Sequence, residues 1–361
     1  MTPSSLYVHI PFCSRKCLFC SFVIAVGQEH RREDYVRALI KEMGNAAGKD
    51  IKTIYLGGGT PSMLDEDHLE NLMDAIRKRF SLQKDIEITI EANPESINPS
   101  KSKFLKTLGF NRVSLGMQSM NDRYLKFLGR NHDASMAQDA YRILREAGFD
   151  NINLDLMYAF PGETKEELEK DVRAIAALGS EHLSLYTLTI EPNSRFFAAQ
   201  MKLDDDEKLA EHYLLIARVL AGYGFKQYEI SNFSKMGFES THNRNYWRGF
   251  PYIGLGVGAH GFDGRRRYWN ISNLQDYIQK AGSAEQVTGG FEDLTDDQLI
   301  MERVLFGLRM NEGIPWDLVP SAKHGQIQTW IKDGFLKMED KNLKTTDHGR
   351  LVLDELSSRL I

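Results

Sequence analysis

Over the first two-thirds of the chain, short runs rich in β-branched and aromatic residues alternate with longer stretches whose apolar positions recur at i, i+3 and i+4. The short runs predict strands over 6–10, 53–56, 86–91, 112–115, 152–156, 183–188 and 227–230. The longer ones predict helices over 35–43, 68–80, 136–147, 165–178 and 206–221, and Thr164-Lys165-Glu166-Glu167 opens one of them with a capping box. Alternation on this scale builds parallel βα units, and six or seven of them predict an α/β barrel or partial barrel. Near Lys235 the pattern changes. Gly-rich and aromatic segments run to about Gly290, and a polar tail comes after them, with helices over 298–310 and 325–332 and a hairpin or wing over 334–345.

The chain's three cysteines fall on one loop after the first predicted strand: Cys13, Cys17 and Cys20, spaced C-x3-C-x2-C. Three thiolates from one short loop can hold three irons of a [4Fe-4S] cube, since soft sulfur ligands suit iron-sulfur clusters. The fourth iron is then open to the amino and carboxylate groups of S-adenosylmethionine, whose sulfonium an electron from the cluster would cleave to a 5'-deoxyadenosyl radical. Zinc is the competing reading. It asks for a fourth ligand, for which His9 and His30 are the nearest residues. A disulfide framework is disfavoured by the odd cysteine count and by the lack of a signal peptide before the loop, so a reducing compartment, the cytoplasm, is expected.

Polar residues gather where the predicted strands end, which is where βα folds place their chemistry. Gly57-Gly58-Gly59-Thr60-Pro61 comes directly after the strand over 53–56. Its glycines either open backbone N–H and C=O groups to a ligand or simply make a tight turn. Glu91, Gln118, Arg130 and Asp155 stand at or after later strands. One such group could be a cap or an ion-pair partner; four at the same end of consecutive strands read as a shared site. At 361 residues, 42% apolar and 26% charged, the chain has room for one large domain and a small one. Its net charge of -5 argues against a general nucleic-acid binder. No apolar stretch approaches a bilayer span, so any membrane contact would be peripheral.

With the cysteine loop in Tyr7-Val8-His9-Ile10-Pro11-Phe12-Cys13, further motifs occur in order: Gly57-Gly58-Gly59-Thr60-Pro61, Glu91-Ala92-Asn93-Pro94, Gly116-Met117-Gln118-Ser119, Leu128-Gly129-Arg130-Asn131-His132, Pro161-Gly162-Glu163-Thr164, Tyr228-Glu229-Ile230-Ser231-Asn232-Phe233 and His242-Asn243-Arg244-Asn245-Tyr246-Trp247. In these the chain resembles radical S-adenosylmethionine proteins of the coproporphyrinogen dehydrogenase (HemN) family. The resemblance implies a partial (β/α)6 barrel over 1–235, a connecting segment over 236–290 and a winged-helix-like domain over 291–361. It implies that Cys13, Cys17 and Cys20 bind the cluster. It further implies that Tyr7, Phe19, Gly58, Gly59, Thr60, Glu91, Gln118, Arg130 and Asp155 line the S-adenosylmethionine site, and that an electron donor such as a flavodoxin or ferredoxin serves it. In those roles Phe19 packs on adenine, Glu91 meets the ammonium, Arg130 the carboxylate, and Asp155 the ribose hydroxyls.

Within the family, the resemblance points to its haem-chaperone branch. The oxidase loop usually reads C-x3-C-x2-C-x-C, and here Phe22 stands at the fourth position. The oxidase also carries an N-terminal extension, whereas this loop begins twelve residues from Met1. The run from His242 to Trp247 matches the H-N-x-x-Y-W motif associated with haem in that branch. His242 would then be an axial ligand with Tyr246 and Trp247 packing on the macrocycle, or else a hydrogen-bonded structural residue; His260 is the alternative ligand. Ser21, Ser240 and Gly261 depart from the aspartate, cysteine and serine common in similar chaperones. The expected function is a haem chaperone that delivers haem to acceptor haemoproteins, with a homodimer open. The alternatives are a radical methyltransferase or cyclopropanase acting on a tetrapyrrole or natural product, and an oxygen-independent coproporphyrinogen III oxidase.

Overall fold

The computed structural model describes residues 5–360. Six strands run in chain order: β1 (Ser5–Ile10), β2 (Asp50–Gly58), β3 (Ser81–Ala92), β4 (Arg112–Gln118), β5 (Ile152–Tyr158) and β6 (His182–Thr187). Each pairs in parallel with the next. Parallel pairing requires crossovers, and these are α1 (Arg32–Glu42), α2 (Glu66–Arg79), α3 (Pro99–Thr107), α4 (Asp122–Leu128), α5 (Ala134–Glu146) and α6 (Lys165–Ala177). The short α3 and α4 were not predicted: each offers only two or three turns of apolar spacing, and each is set by an asparagine cap, Asn98 or Asn121. The predicted capping box at Thr164 is present on α6.

Parallel strands covered on both faces read as continuous apolar runs. These alternate instead. Leu6 and Val8 of β1, Ile54 and Leu56 of β2, Ile88 and Ile90 of β3, Val113 and Leu115 of β4, Leu154 and Leu156 of β5, and Leu183 and Leu185 of β6 are buried in one core with the helices. The residues between them face the other way and are polar. Register aligns them across the sheet: Tyr7 with Tyr55, Tyr55 with Thr89, Thr89 with Arg112, Glu91 with Ser114, Ser114 with Asn153 and Asp155 with Ser184.

The barrel is partial. After α7 (Asp206–Gly222), β7 (Lys226–Glu229) and β8 (Asn232–Ser234) close one edge of the sheet, β8 lying antiparallel to β6. At the other edge α8 (Thr241–Trp247) leads into β9 (Tyr252–Leu255), which pairs in parallel with β1. Antiparallel β10 (His260–Phe262), β11 (Arg266–Asn270) and β12 (Thr288–Asp293) come next, with α9 (Leu274–Gly282) between the last two. The order is β12-β11-β10-β9-β1-β2-β3-β4-β5-β6-β8-β7. The segment 236–290, read from sequence as a connection, is therefore part of the main sheet. Its Ile253, Leu255 and Val257 join the barrel core, and Glu42 of α1 is buried at the junction. That carboxyl accepts from Gly256 N–H (2.9 Å), Asn270 Nδ2 (2.6 Å) and the Tyr277 hydroxyl.

The C-terminal part combines α10 (Asp296–Arg309), α11 (His324–Lys332) and an antiparallel sheet of β13 (Ile314–Pro315), β14 (Leu336–Glu339) and β15 (Asn342–Thr345), in the order β13-β15-β14. Val304, Leu308, Ile327, Trp330, Leu336 and Leu343 form its own core. Among the described residues no helix is long and apolar enough to cross a membrane.

Glu42→Ala strands three donors in the seam between α1 and the 236–290 strands, two of them on nearly inaccessible side chains. It is expected to cost about 3 kcal/mol of unfolding free energy, with Glu42→Gln costing less because it keeps an acceptor. Urea unfolding measures both; a loss under about 1 kcal/mol would show that these donors find other partners.

Candidate functional site

β1 and β2 end side by side, and the loops leaving them touch backbone to backbone. Gly59 N–H donates to Ile10 C=O and Thr60 N–H to Phe12 C=O, both at 2.8 Å. Such an approach excludes side chains. A Cβ at Gly59 would lie 2.7 Å from the Phe12 carbonyl oxygen, and one at Gly58, where φ is +112°, would lie 2.4 Å from the His9 imidazole. The glycine run is thus a close-contact requirement as well as a turn.

From this seam the cysteine loop reaches over the ends of the strands. It is pinned by Leu18, whose N–H donates to Leu128 C=O and whose carbonyl accepts from Phe196 N–H, each at 3.0 Å. Cys13, Cys17 and Cys20 carry free thiols and line one cavity of about 350 Å³. The Cys13 Sγ lies 3.4 Å from Thr60 Oγ1, and Cys17 Sγ accepts from Arg130 Nη1 at 3.4 Å. Burial pushes the Cys13 thiol up to about 11 and raises that of Cys20. Among the described residues no three histidine, cysteine or acidic groups gather closely enough for a single metal ion. Nor is a fourth zinc ligand at hand. His9 is committed to the Tyr7 hydroxyl (3.0 Å) and the Val23 carbonyl (2.8 Å), and His30 is exposed on the short turn Glu29–Arg31. A [4Fe-4S] cube takes each thiolate at a different corner, so the three free thiols on one cavity wall fit it. Bound there, it would supply a one-electron donor and an open iron.

The strand ends furnish the rest of the cavity. Glu91 accepts from the Tyr55 hydroxyl (2.8 Å) and from Gly58 N–H (2.9 Å), and burial pushes its carboxyl up to about 7. Asp155 accepts from Asn153 Nδ2 at 2.7 Å, and burial raises it to about 6. Gln118 sits at φ +70°, a left-handed conformation costly for a residue with a Cβ, and its Oε1 accepts from the Tyr186 hydroxyl at 2.7 Å. Arg130 donates to Cys17, to Asn93 Oδ1 (2.5 Å) and to Gly116 C=O (3.0 Å). Phe19 packs with the Tyr124, Phe160 and Phe196 cluster at the rim.

Of the residues singled out from sequence, Cys13, Cys17, Cys20, Phe19, Gly58, Gly59, Glu91, Gln118, Arg130 and Asp155 share this cavity. Thr60 stands just behind its wall, joined to Cys13 and to Asn93 Nδ2 (2.8 Å). Two do not belong to it. Tyr7 faces a neighbouring cavity. His242 is 1% exposed, with Nδ1 bonded to Thr53 Oγ1 and Nε2 to the Tyr246 hydroxyl, both at 2.8 Å, and its ring stacks on Tyr55. Burial lowers it to about 3, so it is neutral, and both nitrogens are occupied. This is the arrangement of the hydrogen-bonded structural histidine, one of the two readings of His242. Sequence reasoning missed Tyr55, Asn93, Arg112, Asn153, Ser184, Tyr186 and Asn232, all on the cavity wall. Counting every second residue of β4, β5 and β6 finds most of them. Arg112 is the largest fully buried side chain, and its Nε has no partner among the described residues.

Residues 7–175 match the Radical SAM superfamily, and residues 294–352 match the HemN C-terminal domain. The chain is 41% identical to the Heme chaperone HemW of Escherichia coli (strain K12), over 99% of this chain and 97% of that protein. It is 38% identical to the Heme chaperone HemW of Bacillus subtilis (strain 168), over 98% and 97%. Among solved structures it superposes on coproporphyrinogen III oxidase (HemN) from Escherichia coli, described as a radical SAM enzyme, with a TM-score of 0.87 and 26% identity over 99% of this chain and 90% of that one. Fold and cavity together define a radical SAM protein of HemN-like architecture. Within that class the chain belongs to the HemW family.

An amino group of S-adenosylmethionine bound to the open iron would still carry N–H to donate to Glu91, which accepts it best as the carboxylate. S-adenosylmethionine affinity is therefore expected to gain its Glu91-dependent part as pH passes upward through about 7. Below that value binding must release a proton, so affinity falls by up to about tenfold per pH unit. Glu91→Gln is expected to flatten this slope and weaken binding about tenfold or more. Calorimetric titration of reconstituted protein across this range tests both; a slope retained in the variant would assign the titration to another group.

Proposed function

We propose that the protein is a haem chaperone of the radical SAM superfamily, which binds a [4Fe-4S] cluster through Cys13, Cys17 and Cys20, S-adenosylmethionine beside it, and haem, and which delivers haem to acceptor haemoproteins. The observation that carries this reading is the convergence of three free thiols with Glu91, Gln118, Arg130 and Asp155 on one cavity, in a chain 41% identical to a protein named as a haem chaperone. Arg130, its guanidinium held in place by Asn93 and the Gly116 carbonyl, would take the ligand carboxylate. Glu91 would take the amino group, Asp155 the ribose, and Phe19 the adenine. Phe22 in place of a further cysteine supports the chaperone over the porphyrinogen oxidase. A small electron-transfer protein such as a flavodoxin or ferredoxin supplies the electron, and three unpaired cysteines suit the reducing cytoplasm.

Anaerobic reconstitution and separate assays for haem transfer and product formation test the proposal. The protein is expected to take up haem and release it to an apo-cytochrome, while leaving coproporphyrinogen III unchanged and yielding no methylated product. Turnover of the porphyrinogen, or failure to bind haem, overturns it. The triple Cys13→Ala, Cys17→Ala, Cys20→Ala variant is expected to lose essentially all cluster iron and sulfide; full retention of both would remove these thiols from cluster binding.

A further inference from the structure

A second cavity, of about 660 Å³, adjoins the cluster cavity, and Phe22 lines both. Its walls are largely aromatic, with Tyr246 and Trp247 from α8, Tyr252 from β9, Phe262 from β10 and Phe306 from α10, beside one ion pair, Arg267 with Glu302 (2.6 Å). Its rim leaves two phenylalanines in water, Phe22 at 66% and Phe250 at 37% exposure. Aromatic side chains left uncovered around an apolar hollow mark a site made to be filled.

We propose that haem occupies this second cavity with His260, and not His242, as the axial ligand to its iron. The inference rests on the haem-binding function and gives that ligand its place. A porphyrin disc asks for flat apolar walls, and its iron asks for an imidazole nitrogen with a free lone pair. Two histidines line the cavity. His9 is 5% exposed, with both nitrogens engaged by Tyr7 and Val23. His260 is exposed at the start of β10, and no hydrogen bond to either of its nitrogens occurs among the described residues. His242 is absent from the wall altogether; it lies behind Tyr246, to which it is bonded. The H-N-x-x-Y-W run therefore divides its labour. His242 fastens α8 to Thr53 of β2, and Tyr246 and Trp247 supply wall. In this arrangement His242 is a positioning residue, and its loss loosens the cavity without touching the iron.

Ferric haem titrated into the full-length, reconstituted protein, with its Soret absorbance as the readout, tests the assignment. His260→Ala is expected to weaken binding at least about tenfold and to shift the Soret band, with free imidazole restoring the wild-type spectrum. His242→Gln is expected to lower affinity while keeping the wild-type spectrum, and His348→Ala, exposed in the C-terminal part, to behave as wild type. A wild-type spectrum in His260→Ala overturns the inference and leaves haem binding intact. So does a spectral shift in His242→Gln that imidazole reverses, which would move the ligand to His242. Wild-type protein that binds no haem overturns both this inference and the function on which it rests.

Discussion

Two backbones meeting without side chains between them hold the cluster cavity together. At the ends of β1 and β2 the Gly58-Gly59-Thr60 turn closes on Ile10 to Phe12, and the cysteine loop starts from that contact. A circuit of side chains leads away from it and returns to the loop. Cys13 touches Thr60, Thr60 accepts from Asn93, Asn93 accepts from Arg130, and Arg130 reaches Cys17. Its members come from several strand ends and loops, so the position of the cysteines is set by the sheet and not by the loop's own preferences. A methyl group at Gly59 would open the circuit at its first link, because the atoms it meets are backbone and cannot rotate away.

The same geometry explains the charges. Glu91 and Asp155 lie deep enough for burial to raise both carboxyls; their hydrogen bonds come from neutral donors, and Arg112 and Arg130 offset only part of the rise at Asp155. A buried carboxyl satisfied only by a hydroxyl and amides keeps a strong unmet demand for positive charge. Arg112, buried with its Nε unpartnered among the described residues, and Arg130 at the rim supply the complementary demand for anions. A ligand carrying both an ammonium and a carboxylate answers both at once. Amino-acid zwitterions such as the methionine end of S-adenosylmethionine have that form.

Features carried by local spacing were legible in the sequence. The cysteine triplet, the glycine turn and the polar residues at strand ends all lie within short windows, and the structure brings nearly all of them to one cavity. What was hidden depends on distant pairing. β9 is only four residues long and contains a glycine, so nothing local marks it as a strand; its partner β1 lies at the opposite end of the barrel's sequence. Tyr55 reads as one more apolar position in a strand until its hydroxyl is seen on Glu91. His242 was ambiguous for the same reason. A histidine four residues before a tyrosine reads alike as ligand or as anchor, and its contact with Thr53, 189 positions away, has no local signal.

The placement of α8 shows why that ambiguity is built into the motif. The helix is fixed at its start by Glu87, which accepts from the N–H groups of Thr241 and His242 at 2.9 Å, and by Ser240 as cap. Fixed there, it presents Asn243 to the cluster cavity and, one turn on, Tyr246 and Trp247 to the aromatic one. Phe22 does the same from the cysteine loop. One wall therefore separates a polar hollow suited to a zwitterion from an aromatic hollow suited to a flat apolar ligand, and both of its parts are anchored on β1 to β3. Phe22 is the side chain that belongs to the lining of both hollows, so the cysteine loop contributes to the aromatic cavity as well as to the polar one.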